Sequence, residues 1–247
     1  MVDRLASVAA PLPGLLPALA PAGDRLIDSP VVTVAVLGAL SLLSFGLVML
    51  TSFVKIAVVL SVLRSALGTP QIPPTLVVTG LAFVLSAYVM SPVARESLRR
   101  AEPGITELRA GKGTAAEQAA TLLRVGRTAA EPLRAFLKRH AHQRERATFL
   151  GLARRMHKPA DRARIGPDDF LVLVPAFLIT ELKEAFIIGF FLFVPFLVID
   201  LVVANILLAL GMHMLSPTTI SLPFKFLLFV LVDGWHLLTR GLLGGYL

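Results

Sequence analysis

Residues 185–217 read AFIIGFFLFVPFLVIDLVVANILLALGMHMLSP, and they decide what fold the chain can adopt. The run predicts a helix of about 26 residues, about 39 Å long at 1.5 Å per residue, enough to cross a bilayer. It is not an ordinary lipid-facing span. Pro195 removes a backbone donor midway, Asp200 places a carboxylate five residues on, and Asn205 follows at nearly the same depth. Each of these groups needs a protein or water partner. Gly211 ends the helix, and Met212, His213 and Met214 form a short turn closed by Ser216 and Pro217.

Outward from this stretch, the composition is that of an integral membrane protein. The chain has 247 residues, 55% of them hydrophobic and 16% charged, with a mean hydropathy of +0.77. It has no cysteine, which excludes disulfides, thiolate metal sites and cysteine nucleophiles. Residues 95–169 hold 17 of the 24 Lys and Arg but only 9 of the 16 Asp and Glu, so the whole formal charge of +8 lies in that segment. An aqueous basic segment suits anionic headgroups or acidic protein surfaces. Nucleic acid is not expected, because no recognition motif or aromatic interleaving accompanies the charge.

Four organisational parts follow. Residues 1–30 are Pro- and Ala-rich and read either as a cleaved signal peptide ending near Ala20-Pro21-Ala22 or as a disordered tail. Residues 31–94 form a first hydrophobic helical hairpin. Its first span, 31–54, is uncharged, and a second covers 75–94, ending at Ser91-Pro92; Gly68 caps the intervening helix and the prolines at 70, 73 and 74 make the turn. Lys55 has two readings, snorkelling to an interface or paired in mid-helix. Residues 95–169 form the basic helical insert. Thr114-Ala-Ala-Glu117 has capping-box spacing and opens a short helix to about Val125, Pro132 begins a longer one, and Asp168-Asp169 caps the next. Residues 170–247 form the second hydrophobic hairpin. The expected fold is therefore all-α and multi-pass, two hydrophobic hairpins flanking a basic extramembrane insert.

Ionisable residues stand inside the apolar elements: Lys55, Glu181, Asp200, Lys225 and Asp233. Charges at mid-span cost about 2.5 to 3.5 kcal/mol each in a lone helix. Glu181 and Glu184 also share a helix face, which calls for a cation. Pairs within the chain, such as Lys225 with Asp200, are one account and an ion pathway a second. The dispersal of these residues favours a third, contact with neighbouring subunits. The Met212-His213-Met214 turn is likewise turn filler, a soft copper site, or a deformable seal made from several copies. His140 and His142, two apart, point to different helix faces and do not make a metal site.

The stretches TSFVKIAVVLSVLRSALGTPQIPPTLVVTGLAFVLSAYVMSPV at 51–93 and FLVLVPAFLITELKEAFIIGFFLFVPFLVIDLVVANILLALGMHMLSPTTISLPFKFLLFVLVDGWHLL at 170–238, with the polar insert between them, resemble the FliP/SctR family of type III secretion export-gate subunits. The resemblance covers about residues 31–243. It implies a homo-oligomer of about five copies assembled with small Q/S-type and R/T-type export-apparatus subunits in the secretion-system basal body, forming an inner-membrane entry channel for unfolded proteins. It further implies that Met212 and Met214, with His213 between them, belong to a methionine-rich gasket. Glu181 and Lys225 match charged positions that make contacts between or within subunits, with Lys55, Asp200 and Asp233 also in family-like sequence. The insert is expected in the periplasm, and the possible leader favours an injectisome over a flagellum. No cofactor, metal or catalytic constellation is expected. The rival functions are an ion-coupled secondary transporter using Asp200 and Asp233, and a membrane scaffold without a pore.

Overall fold

A computed structural model describes residues 34, 37, 38, 41, 46, 48–69, 73–111 and 114–247. The expected tail or signal peptide at 1–30, half of the first span at 31–54 and the turn residues 70–72 lie outside the described residues. The chain divides into a unit Met1–Leu47 and a unit Val48–Leu247. In the first, the Ser41 hydroxyl donates to the Leu37 carbonyl at 2.9 Å. The rest concerns the second.

Every regular element among the described residues is a helix. They are α1 (Phe53–Ala66), α2 (Thr75–Arg109), α3 (Ala115–His140), α4 (Gln143–Met156), α5 (Pro159–Arg162), α6 (Phe170–Ala209), α7 (Pro217–Leu231) and α8 (Gly234–Gly244). Helices α2 and α6 are long and apolar enough to cross a membrane, and α7 with α8 would make a third span bent by 62°. At 40 residues α6 is about 60 Å long, about twice the hydrocarbon core.

Central among these is α1. Its Ile56, Val59, Leu60 and Leu63 are almost wholly buried against Ala82 of α2, Ala185 and Phe196 of α6, Phe229 of α7 and Leu238 of α8. A second cluster joins Phe136 and Leu137 of α3 to Leu173 and Phe177 of α6 and to Tyr246. A third, of Ala153, Ile165 and Val172, seats α4 and the segment after α5 on the first turn of α6.

Several helices outrun the sequence expectation. The second span does not end as a helix at Ser91-Pro92 but continues through Pro92 and Pro103 to Arg109. The expected short helix from Thr114 to about Val125 and the longer one from Pro132 are a single helix, α3, with Pro132 inside it. An interior proline costs about 3 kcal/mol. Beyond Pro132, burial of Phe136 and Leu137 offsets that cost, and packing as close as Gly104 against Val125 holds α2 to α3. The capping box itself is formed: Thr114 Oγ1 accepts from Glu117 N–H at 3.4 Å, and Thr114 N–H donates to Glu117 Oε2 at 2.6 Å. Asp169 occupies the N-cap position of α6 without a side-chain cap, its Oδ2 accepting instead from Gly166 N–H at 2.6 Å. The second arm of the hydrophobic hairpin at 170–247 is broken, because Asp233 adopts φ 50° and ψ 53° between α7 and α8.

Candidate functional site: buried ion pairs and an exposed methionine turn

Helix α6 carries three features at successive levels. Nearest its polar end, Glu181 and Glu184 face Lys55 of α1. Lys55 Nζ donates to Glu184 Oε2 at 2.6 Å and stands 3.4 Å from Glu181 Oε1. The cation that this like-charged pair requires thus comes from the same chain. Lys55 and Glu181 are buried, and the ammonium sits 4.2 Å over the ring of Tyr246, whose hydroxyl donates to Glu181 Oε2. On the outer side, His142 Nε2 lies 2.9 Å from Glu184 Oε1, and His142 N–H donates to Thr180 Oγ1 at 3.1 Å. His140, by contrast, packs against Phe136 and Tyr246 at ring-centroid distances of 4.6 and 5.1 Å. The two histidines were expected on different faces of one helix; instead His140 ends α3, Ala141 is extended and His142 is the N-cap of α4, so they part because the helix breaks between them. His140 is half-buried, and burial, reinforced by the Lys55 charge, holds it below the ordinary histidine value of 6.5.

Further along α6, Asp200 accepts from Lys225 Nζ at 2.6 Å on one oxygen and from the Ser221 hydroxyl on the other. Lys225, 2% exposed, also donates to the Ala66 carbonyl of α1 at 3.1 Å. The closing hairpin therefore pairs its own charges. Lys55, Glu181, Asp200 and Lys225 each have a partner within the chain, so burying them calls for no neighbouring subunit. Asp233 differs, being exposed at the break between α7 and α8.

At the far end, α6 stops in a glycine-terminated cap. Gly211 takes φ 71°, its N–H donates to Leu208 O at 3.1 Å, and Met212 N–H reaches back to Leu207 O at 2.9 Å. The cap turns the chain away from the helix axis, leaving Met212 44% and Met214 98% exposed, with His213 exposed between them. A methionine so exposed contributes nothing to the core of its own chain. Along α6 itself, Phe186, Phe190, Phe191, Leu197 and Leu201 are exposed as well, an apolar surface that water alone would not tolerate.

Sequence reasoning missed Tyr246, Ser221 and the outer contact of His142. Nothing local announces them: Tyr246 meets Glu181 across 65 positions and Lys55 meets Glu184 across 129.

The sequence that carries these residues has relatives. The profile of the FliP family matches residues 36–242. The chain belongs to the FliP family. Over 208 residues it is 45% identical to the hypersensitivity response secretion protein HrcR of Ralstonia nicotianae, covering 84% of this chain and 93% of that protein. It is 45% identical over 216 residues to the Yop proteins translocation protein R of Yersinia pestis, covering 86% and 94%. With the flagellar biosynthetic protein FliP of Pectobacterium carotovorum subsp. carotovorum it shares 44% identity over 238 residues, covering 96% and 86%. The FliP-family match takes in all three features of α6, from Glu181 to the methionine turn, and stops short of Tyr246.

Proposed function

We infer that this FliP-family chain is an export-gate subunit of a type III secretion system, a non-enzymatic component of the channel by which unfolded proteins enter. The observation that carries the reading is near full-length similarity to secretion and translocation proteins of pathogens and to a flagellar biosynthetic protein alike, which points to the machinery that those systems share. In this reading the chain sits in the bacterial inner membrane with its basic insert on the periplasmic side. About five copies assemble with the small Q/S-type and R/T-type subunits inside the basal body. The exposed apolar face of α6 is covered by these neighbours, and Asp233 is the charge left for contact between subunits.

The gate is the turn at Met212, His213 and Met214. Copies around an axis bring unbranched, polarisable thioether chains together, which re-pack around a passing polypeptide and close behind it. The test is secretion and small-solute leakage in cells carrying Met212→Ala with Met214→Ala at normal expression. Raised leakage with export retained is expected. Unchanged leakage and export would overturn the gasket and leave a scaffold.

A further inference from the structure

The hairpin arms that carry the methionine turn are weakened at one common level. On α6, Pro195 brings no amide to the carbonyl of Phe191, the residue one turn before it. On the opposite arm the helix ends at Leu231 and restarts at Gly234 with a bend of 62°, and between them stands Asp233, the single non-glycine residue at positive φ among the described residues. The break is built in, since a Cβ on Gly234 would lie 2.3 Å from the ring of Phe229. Between the two weak points lies an apolar pocket of about 230 Å³, open on the side of the exposed Phe191, Val232 and Leu237 and floored by Pro195 and Phe196 on one arm and by Phe229, Gly234 and Leu238 on the other. A packed interior resists bending, whereas an open pocket flanked by two interrupted helices gives room for it.

Beyond that level the arms are bolted together. Asp200 of α6 holds both Ser221 and Lys225 of α7, and these two flank Pro223, so the clamp bridges the proline inside that helix. The segment from Asp200 through the methionine turn to Lys225 is thereby one rigid tip. The hydrogen bond from Lys225 Nζ to Ala66 O ties this tip to α1.

We propose that Pro195 and the Asp233-Gly234 break form a paired hinge, about which the clamped tip swings as a unit and carries Met212 and Met214 with it. The pocket takes up the displaced side chains, and the Lys225 to Ala66 bond is the catch that opens. The consequence for export rests on reading the methionine turn as a gate; the hinge itself does not.

The chain has no cysteine, so spin labels go only where they are placed. Labels on Ser61→Cys in α1 and Met214→Cys at the tip, both exposed, report the swing by electron–electron distance measurement. The full chain is used in membranes with an excess of unlabelled copies, so that distances arise within one chain. The hinge predicts two distances in the otherwise unaltered chain. It predicts loss of one in Pro195→Ala, which restores the α6 backbone bond, and in Leu228→Phe, which fills the pocket that Leu228 also lines. The second variant guards against misfolding of the first. A single distance, unchanged by both substitutions, overturns the hinge. Two distances that collapse to one while export continues uphold the hinge and overturn the gate reading of the turn.

Discussion

Gly189 of α6 meets Val62 of α1 so closely that a methyl group on it would lie 3.1 Å from both Val62 methyl carbons. This contact sets the spacing of the two central helices. Gly189→Ala is expected to destabilise by up to about 2 kcal/mol, overpacking of about 1–3 kcal/mol being offset by the roughly 1 kcal/mol that alanine gains over glycine inside a helix. Val62→Ala in the same chain should recover most of the loss, as thermal unfolding in one detergent will show. Equal destabilisation by the single and double variants would mean that the Val62 contact does not set the spacing.

Asp200 and Lys225 lead to a second expectation. Lys225→Met leaves the carboxylate without its cation, a loss of about 3–5 kcal/mol where such pairs are buried and towards the lower end here, since the Asp200 side chain is 25% exposed. Asp200→Leu combined with Lys225→Met removes both charges and should be much milder. Ser221 then still donates to the Thr218 carbonyl. Additive losses in a double-mutant cycle would argue against the pair as a unit.

Tyr246 offers a finer dissection. Tyr246→Phe keeps the ring beneath Lys55 and stacked on Phe136 but deletes the hydroxyl that donates to Glu181. The cost should be about 1–3 kcal/mol, that of a buried acceptor losing its donor. Introduced into Glu181→Gln, the same change should cost clearly less. An equal cost in both backgrounds would show that the hydroxyl does not act through the carboxylate.

Acidification should loosen the insert in two steps. The folded chain holds His140 below 6.5, so the unfolded chain takes up that proton first. Stability present above pH 6.5 is then lost as the pH falls through the folded value. The hydrogen bond from Lys138, with the charges of Lys138 and Arg146, holds Asp168 below 3.8, and its contribution disappears as the pH falls past that value. Stability against pH, measured for His140→Gln and Asp168→Asn, should flatten the upper and lower steps respectively. A profile unchanged by either substitution would contradict the assignment of that step.

Much of the fold is written locally. Gly68 and Gly211 were expected to end helices and take φ 81° and 71°; Thr114 and Glu117 form their box. The prolines misled at positions 92 and 132, because a breaker's cost is read from its neighbours in sequence whereas its compensation comes from packing across helices. The Asp-Gly dipeptide at 233–234 was a turn signal in plain view, masked by the apolar run around it. Lys225 with Asp200 was legible as a hairpin pair, 25 positions apart. Lys55 with Glu184, 129 apart, was not, since no periodicity links residues brought together only by α1 docking on α6.

The pairing of Lys55, Glu181, Asp200 and Lys225 inside one chain has a consequence for how it meets the other components of a secretion apparatus. A part that has already settled its inner charges offers its neighbours contour and oily area there, and little else. Such parts are sorted by fit. Joints made over those paired charges should be nearly indifferent to salt, whereas a contact at the exposed Asp233 should weaken with it. A misplaced neighbour is then turned away there by the gaps it leaves, with no repulsion required.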